Sequence, residues 1–384
     1  MINSKVWAIL SLFVMALVIL SACTPQTPPA STPVPSTPVQ TSVPTSNIPL
    51  PTSQDAAWTN IVKAAKQEGV VTIYSVAFVG DVGRRISQDF TNQTGIRTEI
   101  LVGSGAILLE KIKVEQAMKR PVGDLWNSRS ASSIAELVLL GGADSIAGGL
   151  PSLRDKAAFK IDPVYSPGGE AVVWAMGYGD AVINTKQIKP EDEPRSYKDL
   201  LSPTWKGKIL TQDPRTSGGT IFYANLRYHK VLDLDYFTRL AQQDMAIWGG
   251  SATEGHMKIA RGEFPMLLAG TTDIAAPIIA EGGPLKVLTP EDGNSAGLGA
   301  VVAMKGAPHP NAARVFVNWL LSQEGQRSYA EAASVTSIRK DVPDFTNPVA
   351  RVTPKKIWAR NWEMEEWARK DLAAKTMEKI FGSK

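Results

Sequence analysis

Short apolar runs of strand length alternate with segments of helical periodicity over most of the chain. The first helix is predicted from near Asp55, because apolar residues then repeat at helical spacing from Trp58 to Ala65. The runs predicted as strands are residues 69–74, 97–102, 124–126, 171–184, 208–211, 264–269 and 298–304. Helices are predicted at residues 83–91, 133–140, 232–243, 254–262 and 355–381. A further helix is predicted after Ala106, with Ile107, Leu108, Ile112 and Val114 on its apolar side, and another from Pro308 that closes at Gly325. Such alternation predicts a mainly parallel α/β sheet.

Polar residues follow the ends of several predicted strands. Ser75, Ser104 and Arg129 all stand just after such an end. In parallel α/β sheets, ligands bind beyond the carboxyl ends of the strands, so these positions are candidate contacts.

A longer polar junction lies at residues 196–220. Ser196 and Asp199 predict a capped turn that Pro203 stops. The next strand ends in a glycine-containing loop and a helix start, an order that points free backbone N–H groups at one spot. Thr216 and Ser217 add hydroxyls there. An ordinary strand-to-helix turn would have the same composition, and no nucleotide P-loop pattern is present.

The first 22 residues have the pattern of a signal peptide. Lys5 precedes an uncharged apolar run too short for a transmembrane helix, and small residues follow. The only cysteine, Cys23, comes directly after Leu-Ser-Ala, which resembles a bacterial lipobox, so we expect Cys23 to carry lipid outside the cytoplasmic membrane. An uncleaved anchor is the alternative. A single cysteine also provides no disulfide framework.

The segment after Cys23 has the composition of a tether. Residues 24–52 carry no charge and are rich in proline, serine and threonine, which favours extended, hydrated chain. The net charge of +4 for the whole sequence comes without a basic stripe interleaved with aromatics, so nucleic acid is not an expected partner.

Several motifs resemble one family, the extracellular solute-binding proteins of bacterial ABC importers. The branch with ferric-ion, polyamine, thiamine and phosphonate binders is the most similar. The motifs are SYKDLL at 196–201, WKGKI at 205–209, DPRTSGG at 213–219, GDLW at 123–126, GAPHPNAA at 306–313 and SIRKDVP at 337–343.

The resemblance implies a type II periplasmic-binding-protein-like fold, with two α/β lobes joined by crossover strands and a ligand cleft between them. Its expected segments are signal peptide 1–22, tether 23–54, lobe 1 at 55–170 and 297–345, lobe 2 at 171–296, and a C-terminal helical segment at 346–384. The implied partners are a small molecule, an ABC permease and its ATPase. We expect a monomer without a cofactor.

One departure from the family concerns the ligand. Ferric-ion binders carry adjacent tyrosines on the loop where this chain has Thr271, Thr272 and Asp273. Threonine hydroxyls do not replace phenolates as Fe(III) ligands, and the three histidines are widely separated, so iron is disfavoured. Hydroxyls and amides at helix starts favour an anion with a phosphate, phosphonate, sulfonate or carboxylate group. Asp273 instead favours a cation or an amine.

The ligand contacts predicted from these observations are Ser75, Ser104, Arg129, Thr216, Ser217, Trp248, Thr271 and Thr272. The serines and threonines have an alternative role as helix caps, Arg129 as a solvated surface residue, and Trp248 as packing. No metal ligands are predicted.

An enzyme is the competing class. Residues 293–297 read Gly-Asn-Ser-Ala-Gly, but a loop precedes Ser295 and a predicted strand follows it, which reverses the order of a nucleophile elbow. We therefore predict a non-catalytic protein. A binding lipoprotein that feeds a sensor, and a binder of polyamine- or thiamine-like cations, remain alternatives.

Overall fold

The computed structural model describes residues 56–213, 217–370 and 373–382. The predicted signal peptide, Cys23, the tether and Thr216 therefore lie outside the described residues.

The strands and helices confirm most of the elements that the apolar pattern predicts. The strands are β1 Val70–Ser75, β2 Arg97–Val102, β3 Leu125–Ser128, β4 Ala143–Asp144, β5 Ala171–Asn184, β6 Ile209–Gln212, β7 Ala246–Trp248, β8 Met266–Thr271, β9 Leu285–Val287, β10 Asn294–Met304 and β11 Ile357–Ala359. The helices are α1 Ala56–Glu68, α2 Gly80–Thr94, α3 Gly105–Ala117, α4 Ala131–Leu139, α5 Ser217–Tyr228, α6 Leu234–Ala241, α7 Ala252–Ala260, α8 Thr272–Ala280, α9 Pro310–Leu321, α10 Gln323–Ala333, α11 Trp362–Lys370 and α12 Ala373–Phe381.

The sheet is mixed, so the prediction of a mainly parallel sheet is wrong for its centre. Its main order is β2-β1-β3-β10-β5-β8-β6-β7. The two outer groups, β1 to β3 and β6 to β8, are parallel within themselves. Between them β5 and β10 pair antiparallel with each other, with β3 and with β8. Because β5 and β10 cross between the two outer groups of strands in opposite directions, the strand pairing at the centre of the sheet is antiparallel.

Two separate aromatic cores lie on either side of the crossover strands. In the first, Phe90 packs edge-on against Phe316 at 5.0 Å between ring centroids. In the second, Tyr223 packs against Phe237 at 5.5 Å. Strand β5 places Trp174 in the first core and Ile183 in the second, so one strand ties both lobes together.

Helix α3 confirms half of the predicted apolar face. Leu108 and Ile112 are buried as predicted, whereas Ile107 is 68% exposed and Val114 is 51% exposed. Glu115 also faces inward, because its carboxylate accepts a hydrogen bond from the Tyr74 hydroxyl at 2.6 Å. Position 115 therefore faces inward instead of the apolar position 114, because the Tyr74 hydroxyl offers the Glu115 carboxylate a hydrogen-bonding partner there.

The C-terminal half contains two further corrections. The helix from Pro310 ends at Leu321, and Ser322 then caps α10 by accepting from the Gly325 backbone N–H. Gly325 does not close a helix; a Cβ there would lie 2.0 Å from the Trp319 carbonyl oxygen. The predicted continuous helix 355–381 is also wrong at its start, because Ile357–Ala359 forms β11 beside β10.

Asp180, buried in β5, makes stability depend on pH. Burial raises the pKa of its carboxyl group well above 3.8, although Tyr197 Oη and Asn294 Nδ2 donate to it at 2.6 and 2.7 Å. The folded state therefore holds this proton more tightly than the unfolded chain. The stability that this proton contributes is fully present below the pKa that Asp180 has in the unfolded chain. It is lost as the pH rises through the higher pKa that Asp180 has in the folded state.

Replacing Asp180 by asparagine should remove this pH-dependent part of the stability. We expect the unfolding free energy of Asp180→Asn, relative to the unmodified protein, to increase as pH rises from about 4 to 8. Urea denaturation of both proteins across that range measures the difference. A difference that does not change with pH would contradict the assignment.

Candidate functional site

The candidate site lies where the strand ends of one lobe meet a helix start of the other. The register aligns Ser75 of β1 with Val102 of β2 and Asn127 of β3, so these three strands end together. In the other lobe, β8 ends at Thr271 and α8 begins at Thr272.

Arg129, directly after β3, joins the two lobes. One terminal nitrogen donates to the Tyr329 hydroxyl at 2.6 Å, and the other lies 2.9 Å from an Asp273 carboxylate oxygen. Arg129 and Asp273 are about a quarter exposed, at 28% and 25% of their side chains. A guanidinium group carries five N–H donors. These contacts fix its orientation and engage two of them.

The charge of Arg129 is stabilised at this position. Burial alone would lower its pKa, but Tyr329 and Asp273 raise it, and the net direction is upward. Burial raises the pKa of the Tyr329 phenol, which stays a neutral hydrogen-bonding group. The site therefore holds a permanent cation beside a carboxylate.

A bulge in β8 and a buried histidine position the residues that face Arg129. The β5–β8 register shifts between Asp180 and Val182, and Ala269 has a φ of +67°, which L-residues rarely adopt. His256 Nε2 accepts from the Thr271 N–H at 3.0 Å, so Nδ1–H donates to the Ala252 carbonyl at 2.7 Å. Burial lowers the pKa of His256, which favours this neutral form.

Thr272 connects this helix start to the crossover strand. Its Oγ1 accepts from the Tyr178 backbone N–H at 3.0 Å. Gly177 lies beside both charged groups, since a Cβ there would be 3.2 Å from Asp273 Oδ1 and 3.5 Å from the Arg129 guanidinium. A side chain at position 177 would therefore crowd the ion pair.

A cavity of about 270 Å³ opens beside Asp273. Strand β5, the start of α8 and the chain after α10 form its wall. The lining residues are Lys160, Met176, Tyr178, Thr272, Asp273, Ala276, Ser334, Val335, Thr336, Asp344, Thr346, Ala350, Val352, Thr353, Pro354 and Ile357.

Of the predicted ligand contacts, the structure brings Arg129 and Thr272 together, with Thr271 next to them. The Oγ1 atom of Thr271 is buried and has no hydrogen-bond partner among the described residues. Ser217 is the first residue of α5.

The other predicted contacts have local roles in the structure. Ser75 is buried; it donates to Asn127 Oδ1 at 2.6 Å and accepts from the Phe78 backbone N–H at 2.8 Å. Ser104 is exposed and caps α3. Trp248 donates from Nε1 to the Ser251 carbonyl, and the Lys258 ammonium lies over its ring. Of the predicted contacts, Thr272 lines the cavity, whereas Ser75, Ser104, Arg129, Thr271 and Trp248 do not.

Tyr329, Tyr178, Lys160 and Asp344 were not predicted as site residues. Tyr329 lies on α10, beyond the residue at which the sequence pattern ends the preceding helix. None of the four follows a predicted strand directly, so the strand-end rule does not select them. No other sequence signal selects these four residues.

The described residues also bear on a metal site and on a nucleophile elbow. Within the described ranges, no group of three or more His, Cys, Asp and Glu residues is arranged to hold a metal ion. Ser295 is a strand residue that accepts a hydrogen bond from Asn225 Nδ2 at 2.6 Å, and it does not stand on a turn between strand and helix.

The part of the chain that the structure describes contains no helix with the length and apolarity of a membrane span.

Two α/β lobes joined by crossover strands, with charged residues of both lobes meeting between them, define a periplasmic-binding-protein fold of type II. The structure of AfuA from Actinobacillus pleuropneumoniae with bound fructose-6-phosphate matches with a TM-score of 0.64 and 23% identity, covering 82% of this chain and 99% of that one. Iron-bound HitA from Pseudomonas aeruginosa matches with a TM-score of 0.64 and 20% identity, covering 81% and 99%.

The family is shown by the sequence. The chain belongs to the bacterial extracellular solute-binding proteins, whose family model matches residues 85–366. A Salmonella typhimurium protein provisionally named as a 2-aminoethylphosphonate-binding periplasmic protein is 23% identical over 77% of this chain and 88% of its own length. The protein is thus an extracytoplasmic solute-binding component of an ABC importer.

Proposed function

We propose that the imported solute is a small organic anion with a phosphate, phosphonate, sulfonate or carboxylate group, and that Arg129 binds this group between the lobes. The observation that supports this most is that Arg129 already binds an oxyanion there, the carboxylate of Asp273. Three of its N–H donors remain after the contacts with Tyr329 and Asp273. Charge-assisted hydrogen bonds of this kind are among the stronger ones in proteins.

The mechanism is a shift of population between open and closed lobes. A solute that contacts Arg129 on one lobe and Thr272 on the other stabilises the closed state, in which both contacts exist. The closed state is the one that the permease and ATPase recognise. The protein performs no catalysis. If the partner were a sensor instead of an importer, the ligand-induced closure would be the same and only the protein that recognises the closed lobes would change.

An amine-bearing solute is the second candidate. Asp273 lies beside Arg129, so a zwitterion would place its anion on the guanidinium and its amine on the carboxylate. The name of the Salmonella relative fits such a ligand. Iron is less well supported, because the junction of β8 and α8 carries Thr271 and Thr272 where iron binders carry tyrosines, although HitA shares the fold.

We also propose that Cys23 carries a lipid that anchors the protein, as a monomer, to the outer face of the cytoplasmic membrane or the cell surface. The uncharged segment 24–52 would separate the lobes from the membrane. Metabolic labelling with a radioactive fatty acid should mark the unmodified protein and leave Cys23→Ala unlabelled.

A thermal-shift screen of the full-length chain tests the ligand class. Methyl phosphate, ethylphosphonate, 2-aminoethylphosphonate, ethanesulfonate, succinate, Fe(III) citrate, spermidine and thiamine form the panel. A ligand at a hundred times its Kd adds about 2.7 kcal/mol to stability, which raises the unfolding midpoint visibly. We expect a shift with the organic anions. Comparison of ethylphosphonate with 2-aminoethylphosphonate isolates the amine, and a shift with Fe(III) or spermidine alone would contradict the proposal.

A further inference from the structure

We propose that the exposed face of α3, together with the turn that follows this helix, docks on a membrane surface that contains anionic lipids. The apolar residues of this surface, which we call the α3 face, are Ile107, Val114, Met118, Val122 and Leu140. Its cations are Lys119, Arg120 and Lys305. This contact would be separate from the solute site and from the lipid proposed for Cys23.

Helix α3 exposes a row of apolar side chains along one side. Ile107, Val114 and Met118 follow each other at intervals of seven and four residues, which places them on one face of a helix. All three side chains are more than half exposed, and Met118 reaches 68%. None of the described helices and strands therefore covers this row. Contiguous exposed apolar residues mark a surface that a partner or a membrane covers.

Two further apolar side chains lie at the end of this row. The Val122 backbone N–H donates to Glu115 Oε2 at 3.0 Å, which folds the chain after α3 back onto the helix. Gln116 Nε2 donates to the Gly142 carbonyl oxygen at 2.6 Å, which places Leu140, just after α4, beside the end of α3. Val122 and Leu140 are also more than half exposed, so the apolar surface continues across both segments.

Three cations lie beside this end of the row and have no counter-ion among the described residues. Lys119 and Arg120 directly follow Met118, and Lys119 lines a hollow together with Lys305. None of the three side chains forms an ion pair or a hydrogen bond with a described residue. Asp144 accepts from the backbone N–H that follows Lys305 at 3.1 Å and forms no ion pair with them. Positive charge is therefore exposed next to the apolar row.

The acidic residues of α3 and α4 are engaged with other cations. Glu110 and Glu136 both contact Lys113, at 2.9 and 3.1 Å. Glu115 contacts Lys111 at 2.8 Å. These carboxylates therefore leave the charge of the three cations on the α3 face uncompensated.

An anionic membrane complements this combination of groups. Apolar side chains of an interfacial helix enter the boundary between headgroups and acyl chains, while lysine and arginine attract anionic headgroups. A second copy of the chain that packed through the same face about a two-fold axis would bring the cations of both copies together, which like-charge repulsion opposes. A component of a membrane importer also works beside a membrane.

The position of the α3 face leaves the solute site accessible. The turn with Lys119 and Arg120 precedes β3, whereas Arg129 follows the end of the same strand. The turn and the solute site therefore lie at opposite ends of β3. Docking through the α3 face would hold the protein on the membrane without covering the cleft.

Fluorescent labelling of the full-length chain tests the inference. Cys23 is the only cysteine, so Cys23→Ala combined with Met118→Cys offers a single position for an environment-sensitive nitrobenzoxadiazole label and removes the proposed lipid. On vesicles of phosphatidylglycerol mixed with phosphatidylcholine, we expect the emission at position 118 to shift to shorter wavelength. Lipids with brominated acyl chains should quench it. Vesicles of phosphatidylcholine alone should produce neither effect.

A second label and a pair of substitutions provide the controls. Leu234→Cys, in the same Cys23→Ala chain, labels an exposed apolar residue of α6 and should show neither shift nor quenching. Residues 1–22 are identical in both labelled chains, so the difference between the labels reports on the α3 face. Urea denaturation verifies that every variant is folded.

Neutralising two cations tests the role of charge. A basic residue near an anionic surface contributes about fivefold to binding, so Lys119→Gln with Arg120→Gln should lower the ratio of docked to undocked label about thirtyfold. Lys63→Gln with Lys66→Gln makes the same change of charge on α1, which packs on α9, and should leave the ratio within about twofold of its original value.

The outcomes decide the inference without touching the solute. No lipid-dependent change at position 118, an equal change at position 234, or a change that persists after neutralisation of Lys119 and Arg120 would overturn it. A shift at position 118 that grows with protein concentration in the absence of lipid would assign the α3 face to a second copy and overturn membrane docking. Solute binding at Arg129 is measured separately, so none of these results bears on the proposed function.

Discussion

Arg129→Met should weaken the binding of the organic anion at least a hundredfold. The guanidinium would donate about two charge-assisted hydrogen bonds to the anion, each contributing about 1.5–3 kcal/mol. Every 1.4 kcal/mol corresponds to about tenfold in affinity, so the loss exceeds a hundredfold. Calorimetry on the full-length protein, with the tightest anion of the panel, measures the change. Arg97→Met, which removes an exposed arginine 3.9 Å from Glu99, should bind as the unmodified protein does.

A second variant separates loss of binding from loss of folding. Arg129→Met leaves the Asp273 carboxylate without its partner, and we expect a destabilisation of about 1–3 kcal/mol because the pair is only partly buried. Arg129→Met combined with Asp273→Leu should recover most of that stability without recovering binding. Wild-type affinity in Arg129→Met would refute the assignment of the anion to this residue.

Glu365→Ala should be the most destabilising single change in the C-terminal segment, at about 3–5 kcal/mol. Glu365 and Arg360 are 7% and 4% exposed, and Glu365 Oε1 accepts from Arg360 Nε at 3.0 Å and from the Tyr165 hydroxyl at 2.5 Å. Removal of one partner of a buried pair leaves a desolvated charge, which is the costly case. Arg360 also donates to Ser132 of α4, so the network fastens the segment to that helix.

Urea denaturation measures this effect against an exposed pair. Glu263 contacts Lys258 and Arg261 on the surface, and Glu263→Ala should change stability by less than about 1 kcal/mol. Equal effects of the two substitutions would mean that Glu365 is not a fastening point. The same segment contacts the other lobe, because Asn225 Nδ2 donates to the Trp358 carbonyl at 2.7 Å.

Local features of the structure could be predicted from the sequence. Strand β2 occupies residues 97–102 as predicted, because Gly95 ends the preceding helix with a φ of +75° and a run of strand formers follows. The turn at Ser196 is also confirmed, since the Asp199 carboxylate accepts from the Ser196 N–H at 2.9 Å. In both cases the physical signal lies within a few residues.

Features that depend on contacts between distant residues were not predictable in this way. Strand β11 forms because residues 294–296 of β10 extend beyond its pairing with β3 and leave an edge there, which no property of residues 357–359 reveals. Arg129 and Tyr329 are 200 residues apart in sequence, and their hydrogen bond follows from the packing of α10. The sequence therefore predicts individual site residues at strand ends. The groups that orient Arg129 are recognisable only in the tertiary structure.

Calorimetric titration of the full-length protein with the organic anions of the panel, in parallel with Fe(III) citrate and spermidine, tests the proposed function most directly. We expect one-site binding of an organic anion that weakens with Arg129→Met and persists in Arg97→Met. Saturable binding of Fe(III) or of a polyamine, with no heat from any organic anion, would contradict the proposed function.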